Sequence, residues 1–449
     1  MTQASGPPER ARQTVHIAMG GWALLLRYLT WWQTALLGAV ALAFNAFVLP
    51  HLGGRRLYRG ADHVRGYSAG MLFYPLAVVL LALVFPRRLD IVAAAWGIMA
   101  AGDGMATLVG RLADGRRIPW NREKSVAGTA GFVLFGGAAG VALAWWCRPG
   151  AEPLPPAWFS LSAPIVAAFV AALVETVPIR LDDNVTVPAI AAATLWTISL
   201  MSGDLLSAAA ERAASALPVA VMVNVVVAWL GHRARTVSTS GAVGGAIIGT
   251  IIWIASGWQG WGLLMLTFVL ASVASRIGLR RKTLMNIAEE RGGRRGVGNA
   301  IANTGVAAVA AIVAITSYSS EAALVAFVAA LTAAGSDTIA SEIGKAFGRR
   351  TYLARSFARV PPGTPGAVSL EGTVAGFAGA AVLAMAGISL GLARPSALVA
   401  IVAGATLGAF VESVLSATFE HRGFVNNDVL NFVNTVIAVA AAVPLAGLA

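Results

Sequence analysis

Two nine-residue segments far apart in the chain carry the same scarce residues in the same places. Asp103-Gly-Met-Ala-Thr-Leu-Val-Gly-Arg111 and Asp337-Thr-Ile-Ala-Ser-Glu-Ile-Gly-Lys345 both read D-x-x-A-x-x-x-G-[RK]. A basic, proline-containing stretch follows each, and then Ser125-Val-Ala-Gly-Thr129 or Ser369-Leu-Glu-Gly-Thr373. Further on, Ala172-Leu-Val-Glu-Thr-Val177 matches Ala409-Phe-Val-Glu-Ser-Val414, and Asp182-Asp-Asn-Val185 corresponds loosely to Asn426-Asn-Asp-Val429. Upstream, Gly54-Arg-Arg56 corresponds to Gly293-Arg-Arg295. The matches keep one order at offsets of 234 to 244 residues, so the chain reads as an internal duplication.

The residue types suggest a chemistry. Asp103, Glu175, Asp337, Glu342 and Glu412 fall at or near apolar stretches, where a carboxylate is costly unless solvated or paired. Carboxylates recurring in both halves suit a divalent cation, and Mg²⁺ takes oxygen ligands together with water and phosphate. The five histidines are scattered, which argues against a zinc cluster. A Ser-Gly-Thr turn opening a helix presents N–H groups to an anion, and Lys124 stands just before the first one. Acidic ligands, basic groups and a helix N-terminus together are the parts of phosphoryl transfer, here without a Walker A sequence. Plainer readings stand beside this one. Gly104, Gly110, Gly128 and Gly372 serve equally well as helix-packing residues, Ser125 and Thr373 as caps, and Glu175 and Glu412 as partners of a structural Arg. His16 reads either as a site residue or as a solvated headgroup-level side chain.

These residues have to be held by membrane helices. Of 449 residues, 12% are charged and 57% hydrophobic, where soluble proteins carry about 25% charged residues. This excludes an ordinary soluble enzyme, and the single Cys147 excludes a disulfide scaffold. Forty-nine glycines fit close-packed membrane helices. The net charge of +12 comes mainly from arginine, since Lys124, Lys282 and Lys345 are the only lysines. Basic residues cluster between apolar spans, as cytoplasmic loops do, where they can meet lipid headgroups or phosphates. No soluble basic domain is present, so no nucleic-acid partner is expected. Residues 1–15 are polar and lead into the first span as a short cytoplasmic tail rather than a cleaved signal.

The expected fold is all-α, a polytopic transmembrane helical protein. Spans begin near residues 17, 35, 67, 89, 126, 161, 185, 213, 241, 259, 298, 320, 368, 396 and 429, about 15 in all. Four long polar connections, 51–66, 111–125, 275–297 and 345–367, are rich in Arg and Gly and are places for function. The division is 1–205, a connecting span within 206–234, and 235–449. With about seven helices in each half and one between them, parity makes the two repeats parallel. Tyr28-Leu-Thr-Trp-Trp32 reads as an interfacial anchor.

The first half resembles the polyprenol kinase family, which includes dolichol and phytol kinases. The resemblance rests on Arg12-Gln-Thr-Val-His16, Tyr67 to Pro75, Ala101-Gly-Asp-Gly104 with Gly110, Lys124-Ser125 with Gly128, and Glu175 with Leu181-Asp-Asp-Asn184. Gln13 and Ala127 depart from that family's usual Lys and Glu. The second half resembles an integral membrane family that includes the plant phytyl-phosphate kinase. It does so through Asn299 to Gly305, Asp337 to Gly344, Pro361 to Thr373, and Asn426-Asn-Asp428 with Asn431 and Asn434.

The resemblance implies phosphorylation of an isoprenoid alcohol with CTP and a divalent cation, then addition of a second phosphate. In the first half Asp103, Asp183 and Asn184 would hold Mg²⁺, and Glu175 would orient or deprotonate the alcohol. Arg117, Lys124, Ser125 and Gly128 would hold the nucleotide phosphates. In the second half Asp337, Glu342, Asn427 and Asp428 take the metal roles, with Asp337 and Glu342 also catalytic. Arg294, Arg295, Lys345, Ser369, Gly372 and Thr373 would grip phosphate there. Membrane lipids, the prenyl alcohol and its monophosphate are the expected partners, at a bacterial inner membrane with sites facing the cytoplasm. A lipid cytidylyltransferase and a secondary transporter are the alternative classes.

Overall fold

The computed structural model describes residues 7–52, 58, 62–63, 66–113, 116–118, 121–176, 182–285, 287, 294–420 and 425–448. Within these the chain is a multi-pass helical membrane protein that divides into two compact units, Met1–Ser199 and Leu200–Ala449. The expected Gly54-Arg-Arg56 match and Leu181 lie outside the described residues, as does Gly293.

In the first unit the order is α1 (Pro7–Met19), α2 (Trp31–Ala43), α3 (Ala69–Val84), α4 (Leu89–Gly97), α5 (Gly104–Leu112), α6 (Val126–Cys147), α7 (Ala157–Thr176) and α8 (Asp183–Ser199). The second unit holds α9 (Gly203–Arg233), α10 (Thr239–Arg276), α11 (Leu279–Leu284), α12 (Val297–Thr316), α13 (Ser320–Phe347), α14 (Leu370–Ser389), α15 (Leu398–Leu415) and α16 (Asn427–Leu445).

Every expected span start falls on a helix or within two residues of one, but the count of full-length crossings is lower. Among the described residues eleven helices are long and apolar enough to cross a membrane. The starts near 241 and 259 fall on two helices that meet within α10 at Gly257, whose φ of 64° and ψ of −165° are not helical. The start near 17 falls on α1 and the 3₁₀ turns that follow it over Gly20–Arg27, and α3 and α8 are short. Apolar content marks where a helix lies. It does not mark whether the chain turns back before reaching the far side.

In each unit the helix bearing the Asp motif is the central one. The run Leu89–Leu112, which joins α4 to α5, is 67% buried over its apolar window and α13 is 72% buried, against at most 44% elsewhere. Every residue of α4 is buried, as are Val325 through Ser336 of α13. A side chain on such a helix meets protein rather than lipid, which is the condition a membrane carboxylate requires.

Two short strand pairs, absent from the expected all-α reading, occupy the polar connections. β1 (Arg117–Ile118) pairs antiparallel with β2 (Asn121–Ser125), and β3 (Thr351–Leu353) with β4 (Ala367–Ser369). Each pairing satisfies backbone groups that have no helix to use them. β2 and β4 end on the serines that open α6 and α14, so both hairpins deliver the chain to a helix start. Ser125 Oγ accepts from Gly128 N at 3.1 Å, and Ser369 Oγ from Gly372 N at 3.1 Å.

Candidate functional site

The first unit brings together four of the residues named from sequence. Asp103 ends a π-helical turn, Ile98–Asp103, between α4 and α5. Such bulges re-aim side chains out of helical register and are frequent at functional sites. Glu175 is near the end of α7, Asp183 is the first residue of α8, and Lys124 is carried by β2. One carboxylate oxygen from each of Asp103, Glu175 and Asp183 lies within 4.8 Å of the others. Lys124 Nζ donates to Glu175 Oε1 at 2.5 Å and to Asp183 Oδ2 at 3.2 Å. Burial works to lower the Lys124 ammonium, but Glu175, Asp183 and Asp103 outweigh it and hold it above its ordinary value.

This donor set fits a hard divalent cation. Three carboxylates converge with a single ammonium among them, so negative charge remains after Lys124 is counted. Asn184 follows Asp183, and its N–H and Nδ2 both donate to Asp182 Oδ1, at 3.0 and 2.7 Å. Its own Oδ1 is buried with no hydrogen-bond partner among the described residues. Carboxylate oxygens suit a hard cation such as Mg²⁺, and the orphaned Asn184 carbonyl, next along the chain from Asp183, is a further oxygen that could join them.

His16 joins the same wall, and its sequence context gave only an even choice about it. Its Nε2 is 3.6 Å from Asp103 Oδ2, and its ring packs edge-on against Tyr74 at 4.8 Å. Tyr74 donates to the His16 carbonyl at 3.2 Å and accepts from Trp96 Nε1 at 2.9 Å, which fixes α1 against α3.

The serine turn corrects one expectation. The Gly128 N–H expected to face an anion is taken by Ser125 Oγ, and the Val126 N–H by the Arg116 carbonyl at 3.0 Å. Gly128 is a packing residue: a Cβ on it would lie 2.9 Å from the Ala106 carbonyl oxygen. Ala106 is the alanine of the D-x-x-A motif, so the two motifs are two sides of one helix contact. Arg117 pairs across the hairpin with Ser125, and its exposed guanidinium donates to the Glu123 carbonyl at 3.4 Å.

In the second unit a cavity of about 330 Å³ lies between α13, α14 and α15, roofed by the loop before β4. Asp337, Lys345, Ser369, Gly372, Thr373 and Asn427, all named from sequence, line it. So do Glu412 and Glu420, which were not on the expected ligand list. The parallel between Glu175 and Glu412 was the available signal for the first, and no sequence signal marks the second. Glu412 Oε2 is buried without a hydrogen-bond partner among the described residues. Gly363 and Gly366 shape the roof with φ of 83° and 72°, a region open to glycine. A side chain at Gly366 would meet Ser413 and Ala417 of the facing helix within 2.5 Å.

Four expected residues of this unit lie elsewhere. Glu342 is buried away from the cavity wall, and its two oxygens accept from Lys282 at 2.5 Å and Lys345 at 2.9 Å. Both its oxygens are thus engaged by ammonium groups, which corrects its assignment as a metal ligand. Asp428 Oδ2 packs at the start of α12, 2.4 Å from where a Cβ on Gly298 would stand. Arg295 lines a separate cavity of about 100 Å³ with Asn299 and Asn303. Its backbone pairs with Thr236 and Ser238, and Arg294 is exposed. Neither arginine reaches the wall of the larger cavity. Gly372 repeats the packing role of Gly128, since a Cβ there would lie 2.6 Å from the Ala340 carbonyl oxygen.

Residues 222–439 match the family described as integral membrane protein DUF92. The chain is 36% identical over 200 residues, 44% of its length and 78% of the relative's, to the uncharacterized membrane protein sll0875 of Synechocystis. It is 34% identical over 213 residues to protein VTE6 of Arabidopsis thaliana, covering 46% of this chain and 64% of that one. Phytol kinase 1 of Arabidopsis is 35% identical over 122 residues, 26% of this chain and 40% of its own. The matches thus span less than two thirds of VTE6 and of the phytol kinase. No solved structure matches. The chain belongs to the DUF92 family of integral membrane proteins and has relatives named phytol kinase.

Proposed function

We propose that this chain is a membrane kinase for isoprenoid alcohols. The first unit would transfer the γ-phosphoryl group of CTP to the alcohol, and the second unit would add a second phosphate to give the diphosphate. The observation that carries the reading is Lys124 held between Glu175 and Asp183, with Asp103 beside them. The relatives named phytol kinase support the choice of a prenyl alcohol as acceptor.

Asp103 and Asp183, with the Asn184 carbonyl oxygen, are the residues that would hold Mg²⁺. When bound, that ion neutralises charge on the nucleotide phosphates. Lys124, carried by β2 beside these carboxylates, would meet the transferring phosphoryl group, whose equatorial oxygens carry the charge. Glu175, freed of its ammonium partner, accepts the proton of the alcohol as the new P–O bond forms and the bond to CDP breaks. Glu175 is the most enclosed of the four side chains, at 6% exposed, which limits the access of water to the base.

The second unit would repeat the scheme on an anionic acceptor, with Asp337 and Glu412 as its cavity carboxylates and Lys345 as its cation. The twin hairpins, caps and glycine contacts support one ancestral unit used twice. The intermediate monophosphate is amphipathic and need not leave the bilayer between steps. Purified protein incubated with CTP, Mg²⁺ and a panel of prenyl alcohols tests this, with products weighed by mass spectrometry. Mono- and diphosphates with release of CDP are expected. Pyrophosphate release with a CDP-lipid, or no turnover on any alcohol, overturns it.

A further inference from the structure

Glu412 is 7% exposed on the wall of the 330 Å³ cavity, and its Oε2 is buried with no hydrogen-bond partner among the described residues. Its other oxygen is hydrogen-bonded by Asn434, itself 1% exposed on α16. That amide is seated against a glycine, since a Cβ on Gly408 would lie 2.4 Å from Asn434 Oδ1. Glu412 is thus held by one oxygen and left unsatisfied at the other. A buried carboxylate oxygen in that state is costly unless a positive group meets it.

The protein charges around the cavity do not supply one. Asp337 and Glu420 line the same cavity, and both lie within electrostatic reach of Glu412. Lys345 is the one cation among the described lining residues, and it pairs with Glu342 and acts on Asp337. Three carboxylates against one shared ammonium leave the cavity negative. Like charges gathered there disfavour one another, and they would also turn away an anionic acceptor.

A divalent cation reverses both effects. The donors are oxygens, and neither His nor Cys is among the described residues that line the cavity, which suits Mg²⁺ or Mn²⁺. Among the described residues only the first unit's trio brings three such oxygens within 4.8 Å of one another, so these three stand wider. A wider set suits an ion that keeps several waters, takes one or two carboxylates directly and shares phosphate oxygens.

We infer that Asp337, Glu412 and Glu420 hold a divalent cation in the second unit, with Asn434 as the positioning residue that orients Glu412. Asp337 and Glu412 are the direct ligands. Glu420, which accepts from the Ser416 hydroxyl, meets the ion through water. That the ion makes the cavity acceptable to a phosphate rests on the proposed kinase reading. The ion site itself does not.

The test is Mn²⁺ binding read by electron paramagnetic resonance, which needs no turnover. Full-length protein in detergent micelles carries Asp103→Ala and Asp183→Ala to silence the first unit's carboxylates. This background should still bind Mn²⁺, and adding Glu412→Gln or Asp337→Asn should abolish that binding. Asn434→Leu should weaken it about tenfold, the usual cost of removing a ligand's hydrogen-bond partner, and should alter the zero-field splitting of the bound ion. Asp428→Asn should bind as the background does, because Asp428 packs at the start of α12. A background that binds no Mn²⁺, or binding that survives Glu412→Gln, overturns the inference. Unchanged affinity and spectrum in Asn434→Leu overturn the positioning role. If Glu412→Gln does not fold, Glu420→Gln decides: binding about tenfold weaker is expected, and unchanged binding overturns the site. Mn²⁺ held here without any phosphorylation of a prenyl monophosphate would sink the kinase reading and leave this inference standing. Phosphorylation with no Mn²⁺ held here would do the reverse.

Discussion

The carbonyl oxygen of Ala340 lies 2.6 Å from where a Cβ atom on Gly372 would stand, and the Gly344 Cα lies 3.0 Å from it. Both obstacles are backbone, so neither can rotate aside. Gly372→Ala should therefore force α13 and α14 apart and destabilise the second unit by ~1–3 kcal/mol. Gly128→Ala, with its nearest backbone contact at 2.9 Å, should cost less. Thermal unfolding midpoints of both variants in the same detergent check the order, and a Gly372→Ala protein that melts with the parent would contradict the close approach.

Ser125 acts as a helix cap, and its loss should be felt as stability before it is felt as catalysis. Ser125→Ala removes the acceptor for Gly128 N and should cost about 1 kcal/mol, whereas Ser125→Asp keeps an acceptor and should melt close to the parent. Below the unfolding transition Ser125→Ala should retain most of its phosphorylation rate, since the Gly128 N–H it frees was never offered to a phosphate. A loss of rate as deep as that of a Lys124 variant would return Ser125 to the phosphate site.

The first site was legible because charges are scarce in an apolar chain. Asp103, Lys124, Glu175 and Asp183 stand near the ends of separate apolar stretches, and those ends must meet at the same membrane face. Glu342 misled for a geometric reason. It follows Asp337 by five positions, which on a helix turns it well away from the face of Asp337, while it lies one turn from Lys345. Arg294 and Arg295 were read from the repeated Gly-Arg-Arg, yet the bridge between Val237 and Arg295 ties that segment to the start of α10. Lys282 has no counterpart in the first half, so its only signal was that it is one of three lysines and stands in the polar connection 275–297. The hairpins escaped because strands of two to five residues are too short to show a hydrophobic alternation.

Asp103 and Asp337 lie in separate units with separate donor sets, so their removal should separate two activities. Asp103→Ala should abolish phosphorylation of a prenyl alcohol and leave conversion of a supplied monophosphate to the diphosphate intact. Asp337→Ala should do the reverse, letting monophosphate accumulate from the alcohol. Product analysis by mass spectrometry with each substrate in turn distinguishes the cases. Loss of both activities in both folded variants would disprove independent sites.

Lys124 occupies carboxylate oxygens that a metal ion would share, so removing it should affect catalysis and metal binding in opposite directions. Lys124→Met should lower alcohol phosphorylation by roughly 10²–10³-fold, the usual cost of losing a donor to developing charge. The same variant should bind Mn²⁺ at least as tightly as the parent, measured by electron paramagnetic resonance, because the competing ammonium is gone from Glu175 and Asp183. The pH dependence follows from the raised folded value of Lys124. Its contribution to stability is complete below the ordinary lysine value of about 10.4 and is lost only as pH rises through the higher folded one. The rate of the parent enzyme should accordingly show no falling limb from this group up to about pH 9. Weaker Mn²⁺ binding in Lys124→Met would mean that the ammonium organises the carboxylates instead of competing for them.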